Sequence, residues 1–325
     1  MSAPDPFAVL DEGERSLLRP QPRPDWVEPM KAVLTEERFS RDGWLFERKL
    51  DGIRCLAFKA EKAVRLRSRN DLSLNGRFPE IAAALEADPI TDVILDGEVV
   101  AFAGSQTSFE RLQQRGERNV KVFFYVFDLV HLAGHGTTAL PLRARKRLLR
   151  HLRLDDPIRL STHRNRDGEA YYRHACEHGW EGLIAKRDDS AYVHGRSRDW
   201  LKFKCSAEQE LVVGGHTAPR GSRTDLGALL LGYYEGDRLR YAGKVGTGFT
   251  RATLSDLAAR LAPLRRDGTP FADEVREKDV TWVEPVLVAQ IGFSEWTRDG
   301  RLRHPRFLGL REDKAAAEVV RETGG

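Results

Sequence analysis

The stretch that decides the fold spans residues 44–54 and reads WLFERKLDGIR. Its first residues are aromatic and apolar, a pattern typical of a strand, and Asp51-Gly52 favours a turn directly after it. Lys49 therefore lies where a predicted strand meets a turn. A lysine in a turn is usually only solvated, but Arg48 and Arg54 flank this one, and nearby positive charge disfavours a protonated amine. We expect a lowered pKa for Lys49 and an amine that can act as a nucleophile.

Residues 49–54 fit the pattern KxDGxR, which resembles motif I of the covalent nucleotidyltransferases, the superfamily of DNA ligases, RNA ligases and mRNA-capping enzymes. Segments similar to the superfamily's other motifs follow in the expected order between Glu28 and Lys314. The stretch 295–314, EWTRDGRLRHPRFLGLREDK, is most similar to the ligase modules of bacterial end-joining ligases and their stand-alone relatives. The resemblance implies an ATP-dependent DNA ligase that carries AMP on Lys49 and seals nicks or breaks in duplex DNA.

Three segments resemble the motifs that surround the nucleotide and the 5′-phosphate in this superfamily. Ser68-Arg69-Asn70 resembles motif Ia, which implies that Arg69 contacts the 5′-phosphate at the nick. Asp96-Gly97-Glu98 resembles motif III, which implies ribose and metal contacts for Glu98, and FYVFDL at 124–129 resembles motif IIIa, which implies that Phe127 stacks on adenine. Taken singly, such segments are more often a turn between strands or an apolar core strand, and only their order along the chain favours the motifs.

Two later segments resemble motifs that handle phosphates. EGLIAK at 181–186 resembles motif IV, which implies that Glu181 helps to bind Mg²⁺ or Mn²⁺, and carboxylate oxygen is a ligand that Mg²⁺ prefers. WLKFK at 200–204 resembles motif V. Alternate residues of a strand share a face, so Lys202 and Lys204 can contact the same phosphates, although a strand with one solvated face is a common alternative.

Two segments near the end of the chain, HPRF at 304–307 and REDK at 311–314, resemble motif VI. The resemblance implies that Arg311 and Lys314 orient the diphosphate leaving group from the second domain. Many relatives carry a further arginine two residues before Arg311, and Gly309 occupies that place here. We expect Arg303 or Arg306 to compensate.

The resemblance thus implies a complete site. The catalytic residues are Lys49, Asp51 and Arg54; nucleotide contacts come from Glu47, Lys49, Arg54, Glu98, Phe127, Lys202, Lys204, Arg311 and Lys314; the metal ligands are Glu98 and Glu181; the DNA contacts are Arg54, Arg69, Arg220 and Arg223. Arg220 and Arg223 belong to the basic loop 214–223, for which an ordinary exposed loop is an equally good interpretation. The cofactors implied are ATP and Mg²⁺ or Mn²⁺.

A chain of 325 residues is long enough for a catalytic domain and a smaller second domain. Six prolines among charged residues predict an extended arm over residues 1–29. Strand-like runs with helices between them predict an α+β adenylation (nucleotidyltransferase) domain with mixed or antiparallel sheets over residues 30–205. Short strands and one helix near residues 250–261 predict a small OB-fold β-barrel over residues 206–325, with a hinge around 205–207.

The helix predicted over residues 141–154 combines leucines at helical spacing with basic residues. The basic residues are Arg143, Arg145, Lys146, Arg147, Arg150 and Arg153. A solvated basic face is favoured here over a DNA-contact face.

Composition bounds the class of protein. Hydrophobic residues make up 41% of the chain, enough for a packed core, and a net charge of +4 with a pI near 9.0 suits a polyanionic partner without identifying one. No apolar run approaches bilayer length and the start of the chain does not resemble a leader, which predicts a bacterial-type cytosolic protein without membrane contact. Cys55, Cys176 and Cys205 are far apart and show neither disulfide nor zinc spacing, so we expect them to be structural or incidental.

Three other functions share parts of this pattern. An RNA-joining ligase would keep nearly every motif and an mRNA-capping guanylyltransferase most of them, although the ligase-like stretch 295–314 favours DNA ligase. A non-catalytic nucleic-acid-binding module has no need of a set of metal-binding carboxylates. We expect a monomer that acts on nicked or broken duplex DNA in repair or recombination and that a repair protein recruits; the pathway is not readable from these residues.

Overall fold

Cys205 and Ser206 mark the boundary between two units of the chain, each of which folds on its own core. The structure is a computed structural model that describes residues 5–113, 115, 120–219 and 225–322. Arg220 and Arg223, predicted as DNA contacts, lie outside the described residues. Among the helices of the described ranges, none is long and apolar enough to cross a membrane.

The first unit contains five helices and thirteen strands within the described residues. The helices are α1 Glu12–Arg15, α2 Pro79–Ala87, α3 Phe109–Gln113, α4 Leu142–His151 and α5 Gly168–Glu177. The strands are β1 Arg19–Pro20, β2 Met30–Leu34, β3 Trp44–Lys49, β4 Ile53–Ala60, β5 Ala63–Arg67, β6 Asp92–Ala103, β7 Gln106–Thr107, β8 Val122–Leu132, β9 His135–Gly136, β10 Ile158–Leu160, β11 His163–Arg164, β12 Gly182–Arg187 and β13 Gly195–Lys204.

These strands form two sheets. Sheet A has the order β1-β9-β8-β6-β4-β5, with β10 paired to β8 and β7 paired to β6; sheet B has the order β11-β3-β12-β13-β2. Pairing is antiparallel except for β10 with β8 and β13 with β2. The α+β class with mixed sheets is therefore confirmed.

Side-chain alternation along the strands separates three apolar layers. On β4, Cys55 and Ala57 join the core under α2, α3 and α4, whereas Leu56 and Phe58 point to the other face of sheet A and pack with Met30 and Trp200 of sheet B. On the far side of sheet B, a third cluster packs against α5. The two sheets thus face each other across an inter-sheet groove with an apolar floor.

Helix α4 differs from the solvated basic helix that its sequence predicts. Arg145 and Lys146 are buried, because they lie three and four residues after Leu142 and so share the leucine face. Each meets a buried carboxylate there: Arg145 pairs with Asp128 and Lys146 with Glu47. Burial of a charge requires such a partner, and the pattern of leucines alone did not reveal it.

Residues 5–18 differ from the extended arm predicted from the prolines. Asp11 and Glu14 form a capping box that begins α1, and Phe7 and Leu10 are buried in the core of the first unit. Four of the six prolines, Pro20, Pro22, Pro24 and Pro29, lie after this helix, where only the two-residue strand β1 is regular. The apolar residues between the early prolines therefore determine how this segment packs.

Cys176 and Cys205 form a disulfide, so the expectation that the cysteines show no disulfide pairing is wrong. The end of α5 and the end of β13 meet at the edge of sheet B, with the two Cα atoms 5.1 Å apart. Residues 177–204 between them fold back through β12 and β13, which the separation of 29 positions in sequence does not reveal. Cys55 is free and buried.

The second unit is a β-rich domain with one α-helix in its described part. Its elements are β14 Ala207–Thr217, β15 Leu229–Glu235, β16 Arg238–Val245, α6 Arg251–Leu261, β17 Val280–Trp282, β18 Val288–Phe293, β19 Glu295–Trp296, β20 Leu302–Arg303 and β21 Arg306–Leu310, with 3₁₀ turns at Ala262–Leu264 and Ala316–Glu318. The main sheet has the order β16-β15-β14-β18-β21, with β17 also paired to β14, and β19 and β20 form a separate hairpin. Between the described strands no pairing joins β16 to β21, so the predicted barrel is an open, curved sheet here rather than a closed one.

Candidate active site

The predicted site residues of the first unit, apart from Arg69, lie in or beside the inter-sheet groove. Strands β3, β12 and β13 are in antiparallel register, and residues opposite each other in such pairs project from the same face. Two rows result: Lys49, Gly182 and Lys204 in one, and Glu47, Ile184 and Lys202 in the next. From sheet A, Arg54, Asp96 and Glu98 project from the face that carries Leu56 and Ile94 into the same groove.

Lys49 makes an ion pair with Glu181, and both side chains are largely buried. Burial lowers the pKa of Lys49, but the charge and hydrogen bond of Glu181, with smaller contributions from Glu98 and Asp51, outweigh it and raise the pKa above its ordinary value. The expectation of a lowered pKa for Lys49 is therefore wrong for this state of the protein. The amine is held as an ammonium group beside its carboxylate partner.

The two flanking arginines do not act on the Lys49 amine as the sequence suggested. Arg48 points to the opposite face of sheet B, where its guanidinium lies 4.4 Å from the centre of the Trp180 ring and donates to the Ser105 carbonyl. Arg54 is neutralised by Asp96. Neighbours in sequence on a strand point to opposite faces, so adjacent charge was a poor guide to the local field.

Arg54 and Asp96 form a bidentate pair on the wall of the groove. Nε and Nη2 of Arg54 each donate to one carboxylate oxygen at 2.6 Å, and Nη2 also donates to the Met30 carbonyl at 3.0 Å. The Tyr192 hydroxyl donates to the same carboxylate at 2.7 Å. Asp96 is fully buried, and its charge outweighs the effect of burial, so the pKa of Arg54 is raised. This network fixes the guanidinium 4.5 Å from the centre of the Phe127 ring.

Asp51 and Gly52 form the turn that carries the chain from β3 to β4. The Asp51 carboxylate accepts from the Phe109 amide at 2.8 Å, at the start of α3, and the Asp51 amide donates to the Thr107 hydroxyl at 3.1 Å. A Cβ atom at Gly52 would lie 2.3 Å from the Val99 carbonyl oxygen. The pattern KxDG therefore has a local structural basis: both residues hold the turn that follows Lys49 close to β6.

Phe127 owes its direction to a bulge in β8. Strand β6 pairs Asp96 with Asp128 and Gly97 with Val126, so Phe127 has no opposite residue and turns into the groove. Asp128, the next residue, forms a fully buried pair with Arg145 of α4 through contacts of 2.6 Å and 3.1 Å. This pair anchors the bulge to the helix, and no local sequence pattern indicates it.

Glu47 is the centre of a second buried network beside Phe127. Its two oxygens lie 2.5 Å from the Lys146 amine and 3.1 Å from the Lys186 amine, and the Ser161 hydroxyl donates to it at 3.2 Å. Burial raises the pKa of Glu47, but the two lysines outweigh it and hold the pKa below its ordinary value. Burial, and then the charge of Lys146, lower the pKa of Lys186 to about 8. Lys186 lies 4.4 Å from the centre of the Phe127 ring.

The predicted metal ligands fit a magnesium ion that a nucleotide brings with it. Glu98 and Glu181 are both close enough to Lys49 to raise its pKa, and their carboxylate oxygens are hard donors. Within the described ranges no group of three or more acidic, histidine or cysteine side chains forms a ready-made metal site. Mg²⁺ commonly takes one or two protein carboxylates and completes its shell with water and phosphate oxygens, so a pair of carboxylates suffices.

The remaining predicted residues belong to other elements of the two units. Arg69 lies in the turn after β5, at the edge of sheet A. In the second unit, Arg311 pairs with Asp313 at 2.8 Å and Lys314 with Glu210 at 3.0 Å. Gly309 lies in β21 opposite Gln290. The sequence did not identify Asp96, Asp128, Arg145, Lys146 and Tyr192, although the helical position of Arg145 and Lys146 could have shown that they are buried.

The sequence matches two family descriptions. Residues 27–204 match "ATP dependent DNA ligase domain" and residues 222–314 match "ATP dependent DNA ligase C terminal region". Among curated relatives, the multifunctional non-homologous end joining protein LigD of Pseudomonas aeruginosa is 39% identical over 313 residues, which cover 93% of this chain and 37% of that protein. LigD of Mycobacterium tuberculosis is 40% identical over 285 residues, covering 86% of this chain and 37% of its own. The chain therefore spans less than two fifths of these relatives.

Solved structures match over nearly their whole length. A mycobacterial DNA ligase D complexed with ATP and MES is 37% identical, with a TM-score of 0.65, and the match covers 91% of this chain and 98% of that one. The ligase domain of M. tuberculosis LigD is 38% identical, with a TM-score of 0.51 and the same coverage. The predicted fold, a nucleotidyltransferase domain followed by an OB-fold domain, is confirmed by these matches.

Proposed function

The chain belongs to the family of ATP-dependent DNA ligases, and we propose that it seals breaks in duplex DNA with Lys49 as the carrier of AMP. The observation that supports this proposal best is the pairing of Lys49 with Glu181 in the inter-sheet groove, with Lys204 in the same row of the sheet and Lys202 in the next. A buried amine at the end of a strand, with carboxylates and lysines around it, suits phosphoryl transfer better than hydrolysis by a triad.

Three transfers complete the reaction. Lys49 Nζ attacks the α-phosphorus of ATP, a phosphorus–nitrogen bond forms, and diphosphate leaves; the AMP then passes to a DNA 5′-phosphate, and the adjacent 3′-hydroxyl finally displaces it. Nζ must lose its proton before it attacks, and Glu181 is the carboxylate in contact with it. Bound Mg²⁺ or Mn²⁺, held by Glu98 and Glu181, would neutralise charge that builds on the phosphates.

The groove offers a partner for each part of the nucleotide. Phe127, directed inward by its bulge, is the surface on which adenine stacks, and Glu47 lies at the same end. Lys202 and Lys204 lie in register with Glu47 and Lys49, so their ammonium groups can reach the phosphates. Arg311 and Lys314 in the second unit are proposed to orient the diphosphate in the first transfer.

The DNA would bind mainly through its phosphates. Arg69 at the edge of sheet A and the loop with Arg220 and Arg223 are the proposed contacts, so binding should weaken with salt and depend little on sequence. We propose that residues 30–205 and 206–325 act as separate domains around a hinge at 205–207. The names of the LigD relatives favour end joining as the pathway. We also propose that the protein is a monomer of the bacterial cytosol that a repair protein recruits.

Transfer of label from ATP tests the proposal. Incubated with α-labelled ATP and Mg²⁺, the parent protein should take up covalent label that resists alkali but is released by warm acid, as a phosphoramidate is, and Lys49→Ala should take up none. Lys62→Ala, which changes an exposed lysine in the turn between β4 and β5, should behave like the parent. Label on Lys49→Ala protein would refute the assignment, and label from GTP alone would favour a capping enzyme. Nicked duplexes with DNA or RNA at the break then distinguish a DNA ligase from an RNA ligase.

A further inference from the structure

Lys146 is a buried lysine that the proposed reaction does not use. It extends from α4, which packs on sheet A, and reaches Glu47 of sheet B, so it bridges the two layers at one end of the groove. Its side chain is about 5% exposed and that of Glu47 about 2%. A lysine almost never occupies such a place unless its charge has a function or a partner there.

We propose that Lys146 is a positioning residue for the nucleotide base: it holds Glu47 in the orientation that selects a purine with an amino group at C6. The inference rests on the proposed function, since it concerns the base of the same nucleotide. It adds a residue, and a reason for base selection, that the motif pattern does not contain.

The geometry around Glu47 supports this role. One carboxylate oxygen faces Lys146 and the other faces Lys186 and the Ser161 hydroxyl, so rotation of the carboxylate would break at least one of these contacts. Lys186 touches both Glu47 and the face of Phe127, which places this carboxylate next to the proposed stacking surface.

The balance of charge keeps Glu47 ionised. Around it lie three basic side chains, Lys146, Lys186 and Arg145, and one further acid, Asp128. The pKa of Lys186 is lowered to about 8, and the amine of Lys146 is the nearer of the two to Glu47, at 2.5 Å against 3.1 Å. His163, on the strand beside β3, has a lowered pKa through burial and the charge of Lys146, so it adds no cation near neutral pH.

An ionised carboxylate only accepts hydrogen bonds. A 6-amino purine donates one to it, whereas a 6-oxo purine presents another acceptor and is repelled. A site built around a hydrogen bond discriminates strongly against a ligand that lacks the matching group, and charged hydrogen bonds are worth about 1.5–3 kcal/mol, or about 10- to 100-fold in binding. If Lys146 holds Glu47 in place, removal of the Lys146 charge should reduce the preference for a 6-amino purine by about 10- to 100-fold.

The test compares three variants with the parent in the labelling assay. Lys146→Met removes the charge, Lys146→Arg restores it, and Arg143→Met changes an exposed arginine of the same helix. The substrates are ATP and purine riboside triphosphate, which lacks the 6-amino group. We expect Lys146→Met to raise the KM for ATP about 10- to 100-fold and leave the KM for the analogue nearly unchanged. The maximal rate should change less, and Lys146→Arg should recover most of the preference.

Two outcomes overturn the inference while the parent remains active. In the first, Lys146→Met prefers ATP over purine riboside triphosphate as strongly as Arg143→Met does. In the second, Lys146→Met loses activity equally with both triphosphates, as expected if Lys146 is purely structural. Should Lys146→Met fail to fold in a thermal melt, Lys146→Gln, which keeps a donor without the charge, replaces it and must show the same loss of preference. A parent protein that takes no label from either triphosphate would instead refute the proposed function.

Discussion

Replacing Arg145 with methionine would test whether α4 is anchored through its basic residues. The guanidinium makes two charged hydrogen bonds to Asp128, at 2.6 Å and 3.1 Å, and also donates to the carbonyls of Leu140 and Ser190. Both charged groups are fully buried, so Arg145→Met leaves an uncompensated carboxylate beside Phe127. Removal of one partner of such a pair costs about 3–5 kcal/mol. For a unit of this size, that corresponds to a fall in Tm of roughly 10 °C.

Thermal unfolding of the full chain measures the loss, and hydrogen exchange of the β8 amides assigns it to the first unit. Arg143→Met is the matched control, because Arg143 is exposed and its ion pair with Asp188, at 3.8 Å, is a long surface contact worth at most about 1 kcal/mol. The double variant Arg145→Met with Asp128→Leu should recover most of the loss, since no buried charge remains. If Arg145→Met costs no more than Arg143→Met, α4 is solvated as its sequence first suggested, and the buried pair is not real.

Three further predictions concern the groove. Gly182→Ala should lower the free energy of unfolding by more than about 3 kcal/mol in thermal melts, because φ is +144° and a Cβ would lie 1.9 Å from the Phe203 carbonyl oxygen. Gly76→Ala is the control and should change it little, because a Cβ there would have no atom within 4 Å. Equal effects of the two substitutions would contradict the geometry. Glu181→Gln should lower the pKa of Lys49 and speed its acetylation near pH 8 relative to exposed lysines, and an unchanged rate would count against the ion pair. The pKa of Lys186 is lowered to about 8 in the folded chain, so above that pH the unfolded chain binds more protons than the folded chain. The free energy of unfolding should therefore rise by about 2–3 kcal/mol between about pH 8 and 10. The Lys186→Met variant should lack that rise.

Local sequence pattern and the order of the motifs were enough to predict the long strands and the segments that form the candidate site. Alternating apolar runs marked the long strands of both units, and KxDGxR with EGLIAK and WLKFK marked the segments that the sheet pairing brings into adjacent rows. Motif spacing is informative because strand register is fixed by the buried face of each strand. The roles assigned to these residues stay predictions until they are tested.

The sequence did not reveal which charges are buried together. Lys49 was expected to feel Arg48 and Arg54, but strand alternation turns Arg48 away and Asp96 neutralises Arg54, while Glu181, 132 positions later in the chain, sets the charge state. Partners so distant in sequence are defined only by tertiary packing. The same limit hid the Cys176–Cys205 bond, whose ends are brought together by the pairing of β12 with β13.

That bond closes a covalent ring around residues 176–205, and the ring contains Glu181, Lys202 and Lys204. A polypeptide cut once inside the ring would stay a single molecule, because the sulfur bridge would still join its two ends. Thiols in the surroundings would release those ends, since disulfides persist only where reductants are scarce. Once the chain is cut there, the integrity of segment 176–205 thus depends on the redox conditions in which the protein is kept.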